Sequence, residues 1–561
     1  MPLGRSLSRS LLGCAALAAI GLTVAPASAT PDTTVFHGGT VFTSDDAHPY
    51  AQAVAIRGDR VVEVGSDAEV LAHAGPHATR IDLGGRALIP GFNDAHVHVV
   101  VPEGAYLNAP DFIPGPGPTL ANVQGMIAGA AAATPPGTWL MVFIGSAVFD
   151  DPAATRFALD PVSAGHPVAL FAWTGHGTWL NTAATAALGI GETEPDPFGG
   201  HFARVPGSDV ITGEAHEYAE FNVRRRMLSL LPDAHLTAQY QAFLGAAAAL
   251  GYTSLQDMAV GVPHARAIAA IRAADPKLRV RSICFPLTPG EACGSQGDVG
   301  PSHDRLSASG VKWIADGTPV ERLAFVETPY VDRPGWSGAP DLPSSALRAQ
   351  LDAHRHGPLP REQMLFHAVG DAAIGEVLDA MEDTGGAHVW EDRRTRIEHG
   401  DLLFPWDFVR ARDLGVVVVQ NPTHFTLAPV FAERFTPAVF AELEPMASLL
   451  AEQIPLAIGT DGIGAPQPPL LNVFLATIHP TRPSEALTVE QAIVAFTRGA
   501  AYAEMSEHRK GMLKPGYDAD LVVLSQDIFH QSPLVLLGTG TVLTMVGGEV
   551  VFDAGALPPD P

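Results

Sequence analysis

The sequence predicts an α/β protein: a (β/α)8 TIM-like barrel, a β-sandwich domain composed of both chain termini, and an insertion after the first barrel strand. Three observations carry this expectation. Short strand signals with Gly turns fill both ends of the chain. Short apolar runs alternate with Ala-rich helical stretches through the middle. A Pro-, Gly- and polar-rich stretch interrupts that alternation early.

In chain order, residues 1–29 read as a secretory signal. Arg5 and Arg9 precede an apolar run from Leu11 to Val24, and Ala27-Ser28-Ala29 offers a small-residue cleavage site near Ala29. Export, periplasmic or secreted, is therefore expected. Almost no apolar region precedes Cys14, which argues against a lipoprotein site. Residues 30–88 form one half of the sandwich: Val35-Phe36, Val41-Phe42, and Ala53–Ile56 with Val61–Val64 around Arg57-Gly58-Asp59-Arg60, a hairpin signal. Residues 89–502 form the barrel. Within it, 101–230 read as the insertion, with Pro-rich stretches at Pro110–Pro118 and Pro195–Pro206. Strands and Ala-rich helices then alternate, as in helical Leu244–Leu250 before Gly251–Asp257, and Met364–His367 before helical Ala372–Met381. Residues 503–561 return to strands: Asp520–Leu524, then Val542–Val546 and Val550–Phe552 around Gly547-Gly548.

The chain has 561 residues, 47% hydrophobic and 17% charged, which is ample core material and excludes wholesale disorder. Lys and Arg number 34 against 60 Asp and Glu, a net charge of −26. Removal of the signal takes two Arg and no acid, so the balance becomes more negative still. Nucleic acid and anionic membrane surfaces are thus disfavoured as partners. No run of spanning length follows the signal. A small-molecule substrate is expected, and a homodimer is compatible. Cys284 and Cys293 either pair across the turn at Pro286, Pro289 and Gly290 or remain two small buried residues, and the sequence leaves both open.

The chemistry begins at Leu88-Ile89-Pro90-Gly91-Phe92-Asn93-Asp94-Ala95-His96-Val97-His98. On a strand, side chains two apart share a face, so His96 and His98 can bind one metal ion. Three more acceptors close later strands: His367 before Val369-Gly370-Asp371, His399 before Gly400, and Asp461 before Gly462. Strand C-termini of a barrel converge on one mouth. Imidazole plus carboxylate suits one or two divalent metal ions, zinc first. Lys312, in Gly310-Val311-Lys312-Trp313, joins the set only if its charge is removed, because an ammonium has no lone pair to offer. The plain alternative pairs it with Asp316 or another acid. By the same alternation Glu398 should face away from His399 in a structural role, and Asp371 reads as a helix cap or a partner of a ligand.

The order His-x-His, Lys, His, His, Asp resembles the metal-dependent amidohydrolase superfamily. Ile89–His98, Val311-Lys312 with Asp316-Gly317, Ile397-Glu398-His399-Gly400 and Gly459-Thr460-Asp461 are similar to the branch of N-substituted formamide deformylases and their YtcJ-like relatives. The resemblance spans about Thr33 to Ala554, and it includes His176–Asn181 in the insertion. It implies one metal at His96 and His98, a second at His367 and His399, an N6-carboxylated Lys312 bridging them, and Asp461 as ligand and proton shuttle. Hydroxide generated at the metal would attack a substrate carbonyl and cleave an amide-type C–N bond. His176, Trp313 and Asp316 are the candidate substrate contacts. Thr318–Leu323 departs from the relatives' usual Gly-Ser-Arg stretch, so substrate does not carry over. A hydrolase of lactones, cyclic amides or phosphoesters, and a non-catalytic exported metal-binding protein, are the alternatives.

Overall fold

The computed structural model describes residues 33–109, 115–299 and 305–557; the secretory signal expected at 1–29 lies outside the described residues. Eight parallel strands form the central barrel: β1 (Phe92–His98), β2 (Tyr252–Met258), β3 (Arg279–Cys284), β4 (Leu306–Ile314), β5 (Met364–Ala368), β6 (Arg396–His399), β7 (Val417–Gln420) and β8 (Leu456–Ile458). They neighbour one another in sequence order. The short strand Gly462–Ile463, just past β8, pairs with Val97 and His98 of β1 and closes the ring. The strands are buried almost throughout, as expected for a parallel sheet covered by helices.

Both chain ends build the sandwich. One sheet takes Arg60–Gly65, Ala53–Arg57, Thr33–His37 and Thr79–Asp82. The other takes Glu549–Asp553, Thr541–Val546, Leu521–Leu524, Ala87–Pro90, Thr40–Phe42 and Tyr50–Ala51. Phe36, Val54, Ile56, Leu88, Leu521, Val523 and Met545 fill the space between them. The alternate residues Ile89 and Val522 join the barrel's apolar cluster. The middle of the second sheet, Ala87–Pro90 and Leu521–Leu524, is therefore buried on both faces and fixes the sandwich to the barrel.

The run from Leu88 to His98 is divided at Gly91. Ala87–Pro90 pairs with Leu521–Leu524, whereas Phe92–His98 is the first barrel strand. A Cβ at Gly91 would lie 2.0 Å from Thr253 Cγ2, so the crossing needs glycine.

The insertion is a folded unit of its own. Ala105–Tyr106, Leu140–Ile144, Val168–Ala172, Gly177–Leu180, Ile211–Glu217 and Gly200–Arg204 form a six-stranded mixed sheet. Leu140 and Val142 pack under the helix Leu120–Ala133, while Met141 packs on the other face with Phe171 and Ala219. Cys284 and Cys293 form a disulfide. Among the described residues no helix is long and apolar enough to cross a membrane.

Candidate active site

His96 and His98 project from β1, Lys312 from β4, His367 from β5 and His399 from the end of β6, and Asp461 follows β8. All meet at one mouth of the barrel. Asp461 Oδ1 lies 3.2 Å from His98 Nε2 and 3.5 Å from His96 Nε2. Lys312 Nζ lies 3.5 Å from the same His96 nitrogen. The His399 ring stands 4.9 Å from His96 and 4.4 Å from His367, centre to centre. His399 and Asp461 both adopt left-handed backbone, φ +73° and +52°. Gly459 passes so close behind β1 that a Cβ there would lie 2.5 Å from that of His96.

The far nitrogen of three of these rings is anchored. Nδ1 of His96 donates to Glu398 at 2.7 Å, that of His98 to the Met258 carbonyl at 3.0 Å, and that of His399 to Asn421 Oδ1 at 2.9 Å. Each donation fixes the tautomer and leaves Nε2 with its lone pair. Burial lowers His96 to about 4 and pushes His367 and His399 well below the usual range. Burial also lowers Lys312, to about 8, which eases loss of its proton. Although burial raises Asp461, the nearby imidazoles of His424, His96 and His98 hold its carboxyl well below the ordinary value.

Of the residues expected to touch substrate, only His176 reaches the cleft. It comes from the insertion, stands 4.5 Å from the His367 ring, and donates Nδ1–H to Glu217 at 2.7 Å. Trp313 does not reach it: its neighbour Lys312 points inward, so strand alternation turns Trp313 outward, into a separate cavity beside His264 and Cys293. Asp316 is also displaced from the role expected of it. Fully buried, it accepts the N–H groups of Val369, Gly370 and Phe325 at 2.8–3.0 Å and ties the loop after β4 to the end of β5. It therefore does not pair with Lys312. Asp371 is the first residue of its helix, with Gly370 as the cap, and its carboxylate accepts the Glu327 N–H.

Sequence reasoning passed over His424 and Asp401. His424 stacks on His399 at 5.2 Å, with Nδ1 3.2 Å from Asp401 and Nε2 3.9 Å from Asp461. Glu398 does more than face away from His399: with Arg396 it forms a buried pair, and it holds His96 in place. His424 follows Asn421-Pro422-Thr423 after β7, and its place at a strand end was the one available signal.

Outward from this cluster runs a cleft, open to solvent and bounded by the insertion, the loop after β4 and the segment after β7. The profile described as "Amidohydrolase family" matches residues 79–552, most of the chain. The chain belongs to the amidohydrolase family. This amidohydrolase is 27% identical to the Protein LONG AFTER FAR-RED 3 of Arabidopsis thaliana over 92% of its own length and 90% of the relative's. It is 27% identical to the N-substituted formamide deformylase of Arthrobacter pascens over 87% and 92%. Among solved structures, an uncharacterised metal-dependent hydrolase from Pyrococcus horikoshii superposes with a TM-score of 0.65 at 20% identity, covering 90% of this amidohydrolase and 98% of that chain. That likeness supports the barrel-plus-sandwich fold.

Proposed function

We propose that this amidohydrolase is an exported, metal-dependent hydrolase that cleaves an amide-type carbon–nitrogen bond in a small molecule. The observation that carries the reading is the convergence of His96, His98, His399 and Asp461 at one barrel mouth, with three imidazoles anchored through Nδ1 and presenting Nε2 inward. This donor set fits a divalent ion: burial disfavours the charged forms of His96, His367 and His399, and a carboxylate completes a mixed nitrogen–oxygen set of the kind zinc takes. His96, His98 and Asp461 would hold one ion and His367 and His399 a second, with Lys312, once N6-carboxylated, between them. A bound ion lowers the pKa of water and polarises a carbonyl.

The remaining work falls to the chain. Asp461 takes a proton from the attacking water and returns it to the leaving nitrogen, a transfer needed because an amide anion leaves poorly. Glu398, Met258 and Asn421 keep the imidazoles aligned. His424, backed by Asp401, borders the substrate side of Asp461. The N-substituted formamide deformylase among the relatives supports a carbon–nitrogen bond as the target. The Cys284–Cys293 disulfide supports export, since such bonds persist in oxidising compartments.

Zinc-loaded protein assayed on matched amides and esters tests the reading. Metal-dependent amide hydrolysis is expected, reduced by about 10²- to 10⁴-fold in Asp461→Asn. Metal-independent turnover, or an Asp461→Asn variant within a few-fold of wild type, overturns the assignment.

A further inference from the structure

We infer that the substrate of this site is an uncharged amide carrying an aromatic or branched apolar substituent, and that molecules bearing a free carboxylate are rejected. The inference rests on the amide-hydrolase reading above and specifies what that site selects.

The cleft has two unlike walls. Next to the metal-ligand cluster it is polar. Further out it is lined by Trp173, Pro319, Val320, Leu427 and Phe431. Val320, Leu427 and Phe431 belong to one buried apolar cluster with Tyr330, Phe404 and Phe435, and Trp173 packs against it. The wall is therefore continuous with a packed core and is preformed. The single polar atom of Trp173 donates to the Gly115 carbonyl at 3.2 Å, so what this side chain offers the cleft is hydrocarbon.

The charges point the same way. Asp401 and Asp461 line the cleft, and Glu321 stands behind it, bonded to the hydroxyls of Thr174 and Thr318. Among the described residues, no Lys or Arg lines this outer part. Arg322 and Arg434 lie behind Val320, and each is bound to both Asp150 and Asp332 at 2.5–2.8 Å. The His424 imidazole also lines the cleft, but Asp401 already holds it at 3.2 Å, so a carboxylate seated on the apolar wall would lose its water and find no free counter-ion, whereas a phenyl group there gains by burial.

The test is calorimetric titration of zinc-loaded, full-chain protein with three ligands that share a metal-binding group: acetohydroxamate, phenylacetohydroxamate and 4-carboxyphenylacetohydroxamate. The phenyl group is expected to tighten binding about tenfold or more, and the added carboxylate to remove that gain. Trp173→Ala at the rim and Leu427→Asn in the wall are expected to shrink the phenyl gain and leave acetohydroxamate binding as it was, which also shows the variants are folded. A phenyl gain below about threefold, or a carboxylated ligand that binds as tightly as its parent, overturns the inference. If acetohydroxamate itself does not bind, the metal-site reading fails, and this inference fails with it; loss of the phenyl gain alone leaves that reading standing.

Discussion

Glu398→Gln isolates the support beneath the metal ligands from the ligands themselves. Glu398 is fully buried between two donors. Its Oε2 accepts from His96 Nδ1 at 2.7 Å and from Arg396 Nη2 at 2.9 Å, and its Oε1 accepts from Arg396 Nε at 2.7 Å. Gln keeps the shape but replaces an acceptor oxygen by a donor amide, so whichever way it turns an NH2 group meets either the guanidinium or the imidazole N–H. Arg396 is then left without its carboxylate in a site no water reaches, at a cost of about 3–5 kcal/mol in stability. Loss of the His96 anchor adds a second effect, since removing such a partner lowers metal affinity by about 10- to 100-fold, or about 1.4–2.7 kcal/mol. Chelator competition for zinc, run beside thermal unfolding, reads the two effects separately. Glu504→Gln serves as the control, because Glu504 pairs with buried Lys510 at 2.6 Å and does not touch the imidazoles. It should destabilise the fold and spare the metal. Zinc affinity within about twofold of wild type in Glu398→Gln, or an equal loss in Glu504→Gln, would refute the idea that Glu398 acts through His96.

Three further outcomes are expected. Lys312→Ala should lose one metal equivalent and most activity, and a short carboxylate added in solution should partly restore both; unchanged metal content would remove the bridge. Arg434→Met strips a buried cation from Asp150 of the insertion and Asp332 of the barrel loop, so stability should fall by about 1–3 kcal/mol and the KM for amides should rise more than kcat falls; steady-state kinetics with a KM unchanged would argue against a role in shaping the cleft. His264 is pushed down to about 4 by burial, so the folded protein resists its protonation while the unfolded chain accepts it near 6.5. Stability should therefore drop as pH falls from about 6.5 towards 4, and by about 2 kcal/mol at pH 5 the drop should be smaller in His264→Gln, as read by urea unfolding at pH 7 and pH 5.

Much of the fold was legible because its signals are local. The hairpin over Ala53–Gly65 turns at Gly58, φ +60°, and the C-terminal hairpin turns at Gly547 and Gly548, both with positive φ; these are turns the sequence announces by glycine. The candidate ligands were legible for a similar reason: His96 and His98 alternate on one strand, and His367, His399 and Asp461 each close an apolar run before a turn. The insertion was harder to read. Its strands are broken by Pro-rich connections, and its sheet is mixed, so the alternating strand-and-helix rhythm stops there. Trp313 shows a failure of a different kind. The alternation that aimed Lys312 inward also aims its neighbour outward, and the reading of the pocket did not follow that rule through.

What no local pattern discloses is the support of the site. Glu398 reaches His96 across 302 positions of sequence, and Asp316 holds a loop through backbone N–H groups more than 50 residues away. Periodicity carries no trace of either contact. The backbone at His399 goes further and breaks the pattern: at φ +73° the last residue of β6 leaves the strand's alternation, so that Glu398 can hold His96 while His399 leans over the same mouth. Asp461 does the same after β8, and a glycine follows in each case, Gly400 and Gly462. A left-handed conformation in a non-glycine residue costs on the order of 1 kcal/mol, and its occurrence at two candidate ligands, His399 at the end of β6 and Asp461 just past β8, indicates that ligand placement, rather than strand regularity, determines the backbone there.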